Sequence, residues 1–207
     1  MSEERRQESA SEGSFVDSIF DSLVSGDTAT FSQIHEELNG KSNHDVAVAG
    51  GCLLDVRLKE AIKTRLRVSD KYADELLGRD EESGSIDFHS LCTLAYCLGL
   101  IGEIGLADLR RIGTIRNRLG NRGIVNDFAH EKVRQLCMDL QSPEMVDRLC
   151  GSSKPIVDRM AASGTDNDIM RNRFTYSVLL LYIMPWATVA ECPMTWPHRS
   201  NPTPIFW

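Results

Sequence analysis

The stretch that decides the fold is FHSLCTLAYCLGLI at residues 88–101, followed by LADLRRIGTIRNRL at residues 106–119. In both segments apolar residues recur every three or four positions, which is the spacing of an amphipathic α-helix. Asp87 stands where a helix-capping side chain is expected. Residues 88–101 are nearly all apolar or small, so we expect this helix at the centre of the fold.

Helical spacing continues on both sides of this stretch. Nothing alternates convincingly with the period of two that marks a strand, so the sequence predicts an all-α fold, a single multi-helix bundle. The pair Gly50-Gly51 lies inside a helical pattern and indicates a tight crossing of helices. The further expected helices are short ones within 15–38, then 45–67, 69–77, 128–140, 143–150 and a last one from Asp166 or Asp168 to Pro185.

The ends of the chain differ from its middle. Residues 1–13 are polar, charged and rich in Ser and Glu, which predicts a disordered tail. Residues 14–184 form the expected helical regulatory domain. Residues 185–207 hold five of the seven prolines and all three tryptophans. We expect an extended tail there, serving either as a strap docked on the body or as a partner-binding segment in polyproline II form.

Charge and composition exclude several classes of protein. The net charge is −7, which disfavours a general binder of nucleic acid or of anionic membranes. The longest apolar run, 178–186, is too short for a transmembrane helix. Residues 1–13 are followed by no apolar core, so we expect no secretory signal peptide. Six cysteines are scattered without a Cys-x-x-Cys pair, which is typical of reduced thiols. We therefore expect a cytoplasmic protein with no membrane contact.

Residue patterns that would carry catalysis or hold a metal are weak. His89 and Cys92 are three residues apart on one helix, but Cys97 falls on the opposite side from Cys92, so the three do not converge on a metal. The motifs of serine hydrolases and of phosphate-binding loops are absent from the sequence. The sequence thus predicts no catalytic residue, no metal and no cofactor.

An arginine-rich stretch is the most informative chemical feature. Residues 109–126 carry five positive charges and no acidic residue. Arg111 and Arg118 are seven residues apart and share a helix face, whereas Arg110 and Arg116 lie on other sides. One interpretation is a patch for a small anion or a nucleic acid. The other is pairing with acidic groups of this chain or of a second subunit. The candidate patch consists of Arg110, Arg111, Arg118 and Arg122.

Several blocks of this region resemble the mannitol operon repressor family. They are CLGLI at 97–101, DLRRI at 108–112, IRN at 115–117 and FAH at 128–130, with RNRF at 171–174 similar to the family's final helix. The resemblance spans roughly residues 46–184. Family members place Phe-Ala-His one residue after Arg-Asn, whereas ten residues, Arg118 to Asp127, separate the two blocks here. The chain therefore looks like a divergent member with an insertion.

The resemblance implies an α-helical, repressor-like transcriptional regulator of sugar-alcohol uptake without an obvious helix-turn-helix. In this chain the one stretch similar to a helix-turn-helix, residues 31–48, carries one Lys and no Arg to contact phosphates. We therefore expect regulation mainly through a protein partner, either another regulator or a phosphotransfer component, with weak direct DNA binding at most. The sequence leaves a homodimer open.

An enzyme of the HEPN ribonuclease type is the rival hypothesis. Those enzymes resemble this chain in pairing an Arg with a His in a helical bundle, where the two groups would face the scissile phosphate. Arg122 and His130 are the nearest candidates, and they have seven residues between them. This spacing exceeds the four to six residues of that motif.

The Arg-Asn and Phe-Ala-His blocks also have a structural interpretation. Arg116 and Asn117 could cap helix ends, and His130 could satisfy carbonyls at a helix junction. A motif that only fastens two helices would produce the same sequence. The candidate interaction or structural motif consists of Arg116, Asn117, Phe128, Ala129 and His130.

Overall fold

The computed structural model describes residues 34–36, 38–39, 41–66, 70–78, 86–121, 125–150 and 164–183. Every regular element in these ranges is a helix, which confirms the all-α prediction. The predicted tails at 1–13 and 185–207 lie outside the described residues. The helices are α1 (Asn43–Leu66), α2 (Asp70–Leu77), α3 (Phe88–Cys97), α4 (Glu103–Gly120), α5 (Glu131–Met138), α6 (Ser142–Cys150) and α7 (Asp166–Ile183).

Helix α4 lies at the centre of the bundle and packs against α1, α3, α5, α6 and α7. The prediction that the helix beginning at residue 88 is central was therefore wrong. That helix, α3, packs mainly against α1 and α4, and it exposes His89, Thr93 and Cys97. The buried residues of α3 lie on one side of the helix, whereas those of α4 extend around a wider arc that serves several neighbours.

Helix α3 also ends four residues earlier than the spacing predicts. Gly99 adopts a left-handed backbone with φ of 68°, which favours glycine. The backbone N–H of Leu100 donates to the carbonyl of Ala95, and the N–H of Gly99 donates to that of Tyr96, both at 3.0 Å. These two bonds form a Schellman motif, so the apolar residues up to Ile101 leave the helix although they keep its spacing.

The predicted tight crossing at Gly50-Gly51 is confirmed, and it serves two neighbours of α1. A Cβ atom on Gly50 would lie 3.0 Å from the ring of Phe174 on α7. A Cβ atom on Gly51 would overlap Cδ of Arg116 on α4. The absence of two side chains on consecutive residues thus lets α4 and α7 approach α1 from different sides.

The turn before α5 replaces the helical start predicted at residue 128. The backbone N–H of Phe128 donates to Oδ1 of Asn167 at 2.9 Å, and that of His130 donates to Oδ1 of Asp127 at 2.7 Å. Side chains therefore satisfy these donors, and α5 begins only at Glu131. Helix α7 agrees with prediction, because Met170, Phe174, Val178 and Leu181 are all buried.

The described helices include none with the length and hydropathy that a bilayer crossing requires.

Candidate functional site

The arginines of α4 do not form one patch, because each is held by a different neighbour. Arg110 donates to Oγ1 of Thr93 on α3 at 3.1 Å. Arg111 donates to Oδ1 of Asp108 at 2.9 Å. Arg118 donates to the carbonyl of Lys132 on α5 at 2.5 Å. Arg122 lies outside the described residues. Of the three described arginines, only Arg111 pairs with an acidic group of this chain, whereas Arg110 and Arg118 bind a hydroxyl and a backbone carbonyl.

Arg116 joins three helices rather than capping a helix end. Its aliphatic stem crosses the flat surface left by Gly51 on α1. Its guanidinium lies over the ring of Phe88 on α3, with 5.1 Å between Cζ and the ring centroid. This cation–π distance is within the range of favourable contacts. The neighbouring Asn117 is exposed on α4.

The block Phe128-Ala129-His130 fastens the turn before α5 to α7. Phe128 is fully buried, and its ring centroid lies 5.3 Å from that of Phe174. Ala129 is half-buried. The carbonyl of His130 accepts the N–H groups of Val133 and Arg134, both at 2.8 Å, and so starts α5. Its ring Nδ1 is buried and has no hydrogen-bond partner in the described part of the chain. The predicted role of this ring in satisfying carbonyls is therefore not seen at Nδ1.

Asp108 is a charged residue at the centre of the bundle. Its carboxylate is fully buried on α4 and accepts hydrogen bonds from the backbone N–H groups of Gln141 (2.9 Å) and Ser142 (2.7 Å). It also accepts from Oγ of Ser142 at 2.5 Å and from Arg111. Asp108 therefore caps the N-terminus of α6 from another helix. Burial raises the pKa of Asp108, whereas the hydrogen bonds from Ser142 act in the opposite direction.

Arg173 caps the C-terminal end of α5, which immediately precedes the N-terminus of α6 that Asp108 caps. It is buried on α7, and its Nε donates to the carbonyl of Cys137 at 2.7 Å. Its Nη2 donates to the carbonyls of Met138 (3.2 Å) and Leu140 (2.5 Å) and to Oε1 of Glu144. These carbonyls lie at the C-terminal end of α5, where a positive charge is stabilised by the helix dipole.

A cleft of about 350 Å³ opens where α5 meets α6, and we call it the junction cleft. Helices α4, α5, α6 and α7 all contribute to its wall, so it depends on the bundle being assembled. Three arginines from three helices meet there with two carboxylates. Its lining residues are Arg111, Met138, Asp139, Leu140, Gln141, Glu144, Arg148 and Arg173.

The cysteine and histidine residues of α3 diverge as their spacing predicts. Cys92 is fully buried, and burial raises the pKa of its thiol to about 12. His89 and Cys97 are exposed. Within the described ranges, no three His, Cys, Asp or Glu side chains come together in a way that could hold a metal ion.

Sequence reasoning missed Asp108 and Arg173, the two charged residues that organise the junction cleft. A usable signal exists for Asp108, because it lies four residues before Ile112 on the apolar stripe of α4. Arg173 similarly lies three residues after Met170 and four before Ser177, both of which are buried. A charge at a position that helical spacing assigns to the core indicates a buried hydrogen-bond acceptor or donor, since buried charges require partners.

Comparisons of this chain with protein-family models, with curated proteins and with solved structures find no match. The likeness to the mannitol operon repressor family therefore rests on the sequence blocks alone. Any functional argument beyond that likeness depends on the geometry described above.

Proposed function

We propose that this chain is a repressor-like transcriptional regulator of carbohydrate uptake, and of sugar-alcohol uptake in particular, that acts through contact with another protein. The link to sugar alcohols comes from the sequence blocks similar to the mannitol operon repressor family. Two features of the bundle indicate contact with a protein. One is a pair of exposed apolar residues, and the other is that the arginines of α4 already contact groups of this chain.

An exposed apolar pair on α2 is the observation that carries the proposal. Tyr72 and Leu76 are four residues apart, so they lie on one face of this helix. Tyr72 is 64% exposed and Leu76 is 52% exposed. On the buried side of the same helix, Ala73 and Leu77 attach it to the bundle. Tyrosine is one of the residue types that most often anchor protein–protein interfaces, and the exposed Leu76 beside it extends the apolar surface of this helix.

The described arginines of α4 support contact with protein rather than with DNA. A DNA-binding surface needs several cationic groups turned outward to neutralise phosphates. Arg111 and Arg118 bind acceptors of this chain, and Arg116 lies against Phe88. These three side chains turn toward different neighbours, so they do not present one outward row of cations to a phosphate backbone.

The proposal is tested by transcription in the host. Deletion of the gene is expected to raise transcript levels of the sugar-alcohol uptake genes. A chain with Tyr72→Ser and Leu76→Ser should fail to restore repression, whereas Val56→Ser, an equally exposed apolar position on α1, should restore it. Unchanged transcripts in the deletion strain would exclude the regulatory role.

A gel shift separates protein contact from direct DNA recognition. The purified chain is incubated in moderate salt with the promoter of the uptake genes and, separately, with a scrambled duplex. We expect no preference for the promoter. Tight, sequence-specific binding by the chain alone would contradict a mechanism that depends on a protein partner.

A ribonuclease of the HEPN type is the second candidate, and the ring of His130 is the observation that favours it. A buried ring nitrogen without a hydrogen bond is uncommon for a purely structural histidine. Its predicted partner, Arg122, lies outside the described residues. Incubation of RNA with the wild-type chain and with His130→Ala tests this candidate. Cleavage that is lost in the variant would favour the enzyme, and intact RNA with both would exclude it.

A further inference from the structure

We propose that the junction cleft binds a small organic oxyanion, a carboxylate or a phosphate ester, between Arg111, Arg148 and Arg173. This inference is independent of the proposed function, because it concerns another surface and needs neither DNA nor a protein partner. The cleft volume of about 350 Å³ lies in the lower part of the range found for small-molecule sites.

The arginines around the cleft favour an anion. Its lining contains three arginines against two carboxylates, and the buried Asp108 behind Arg111 adds a third, so the cleft is close to neutral on a chain whose overall charge is −7. A guanidinium presents a planar set of donors that matches the paired oxygens of a carboxylate or a phosphate. A near-neutral site rich in arginine repels small anions less than the rest of an acidic surface does.

The protein already holds these arginines in place. Arg111 is fixed through one nitrogen by the buried carboxylate of Asp108. Arg173 is held by three backbone carbonyls at the end of α5. Arg148 donates through Nε to the carbonyl of Glu144 at 3.4 Å. Guanidinium groups fixed by the fold lose less conformational entropy when they bind a ligand than free surface arginines do.

The carboxylate of Glu144 competes with the anion for Arg173. Its Oε1 accepts from Arg173, whereas its Oε2 is buried and has no hydrogen-bond partner within the described residues. A buried carboxylate oxygen without a donor is unfavourable, so this ion pair is incompletely satisfied. An oxyanion that takes the place of the Glu144 carboxylate on Arg173 would allow the Glu144 side chain to turn into solvent.

Two substitutions with opposite expected effects test the site. Arg148→Gln removes a positive charge from an exposed side chain and should weaken binding by at least about tenfold, the loss typical of one charge-assisted hydrogen bond. Glu144→Gln removes the competing negative charge, and binding should become several-fold tighter. Arg134→Gln is the matched control, since it removes an exposed arginine of α5 that does not line the cleft.

Binding is measured by isothermal titration calorimetry on the full chain at constant ionic strength. The probes are inorganic phosphate and citrate, which distinguish a phosphate site from a carboxylate site, with glycerol as the uncharged control. We expect saturable binding of at least one anion, unchanged in Arg134→Gln. Equal weakening by Arg148→Gln and Arg134→Gln would overturn the proposal, as would heats that follow ionic strength alone. Circular dichroism of each variant checks that the bundle remains folded.

Discussion

The arginines of α4 and those of α7 show two uses of the same side chain. On α4, Arg110, Arg111 and Arg118 lie close together in sequence, but their acceptors lie on three different helices: α3, α4 itself and α5. On α7, Arg171 and Arg173 are separated by one residue, yet each gathers several backbone carbonyls at the end of another helical segment. Arg171 binds the carbonyls of residues 38, 39 and 41, and Arg173 binds those of residues 137, 138 and 140.

This difference follows from the geometry of a helix. Two residues on, a side chain has turned by about 200°, so Arg171 and Arg173 leave α7 on opposite sides. Each then meets the last carbonyls of a helical segment, where the regular hydrogen bonds of the helix come to an end. A dense run of charges along the sequence therefore does not indicate a charged cluster in space. Two arginines that seem unremarkable in sequence fix the ends of two helical segments.

The largest expected effect tests whether Arg173 fixes the end of α5. Arg173→Met should reduce the free energy of unfolding by about 2–4 kcal/mol, because it removes a buried donor from the carbonyls of Met138 and Leu140 and from the half-exposed Glu144 carboxylate. Arg134→Met is the control, since its ion pair with Asp166 is about half exposed and should contribute at most about 1 kcal/mol. Urea unfolding measures both values. Similar losses in the two variants would show that Arg173 is not a structural centre.

The corresponding test on α4 concerns Gly51 and Arg116. Gly51→Ala places a Cβ where the Arg116 stem lies, so the arginine must leave the Phe88 ring. We expect a loss of about 1–3 kcal/mol in the free energy of unfolding, as for other overpacked contacts. In an Arg116→Ala background the same substitution should be neutral or should stabilise by up to about 1 kcal/mol, since alanine favours a helix over glycine.

A double-mutant cycle in urea isolates this coupling. Its sign is the informative result, because only a direct contact between the two positions reverses the effect of Gly51→Ala. An equal cost in both backgrounds would place the steric conflict elsewhere in the crossing of α1 with α4.

The extent to which the sequence predicts this fold depends on the range of the interactions involved. Apolar spacing is a local property, and it predicts α1, α2, α4 and α7 to within a few residues. It fails at residues 98–101, where the left-handed Gly99 ends α3 although the apolar pattern continues. It fails again at Phe128, whose backbone N–H is bound by Asn167, a residue 39 positions away.

The candidate site was less predictable for the same reason. The sequence drew attention to α4 because its arginines are neighbours along the chain. The junction cleft instead depends on Asp108 reaching Ser142 and on Arg173 reaching Cys137, across 34 and 36 positions. The spacing of residues in one sequence does not predict such long-range pairs. Only the placement of a charge on an apolar stripe could have indicated that these two residues have buried partners.

The smallest expected effect concerns two aspartates that cap helices, one exposed and one buried. Asp87 caps α3 locally, and hydrogen bonds from Ser90 hold its pKa below the usual value. Asp108 caps α6 from within the core, and burial raises its pKa. The two carboxylates cap helix N-termini in the same way, but their pKa values are shifted in opposite directions.

The sign of each effect on stability follows from proton linkage. Because the pKa of Asp87 is lower in the folded state, its stabilising contribution is present above the unfolded value, about 3.9, and is lost as the pH falls through the folded value. Because the pKa of Asp108 is higher in the folded state, its contribution is present below about 3.9 and is lost as the pH rises through the folded value.

Urea unfolding between about pH 3 and pH 6, at fixed ionic strength, separates the two cases. The free energy of unfolding of the wild-type chain minus that of Asp87→Asn should grow as the pH rises through the lower part of this range. The same difference for Asp108→Asn should shrink with rising pH, on top of a constant loss from the altered cap. If both differences grew, the hydrogen bonds from Gln141 and Ser142 would outweigh burial at Asp108. The pKa of the buried Asp108 would then be lowered on folding, like that of the exposed Asp87, and burial would not distinguish the two caps.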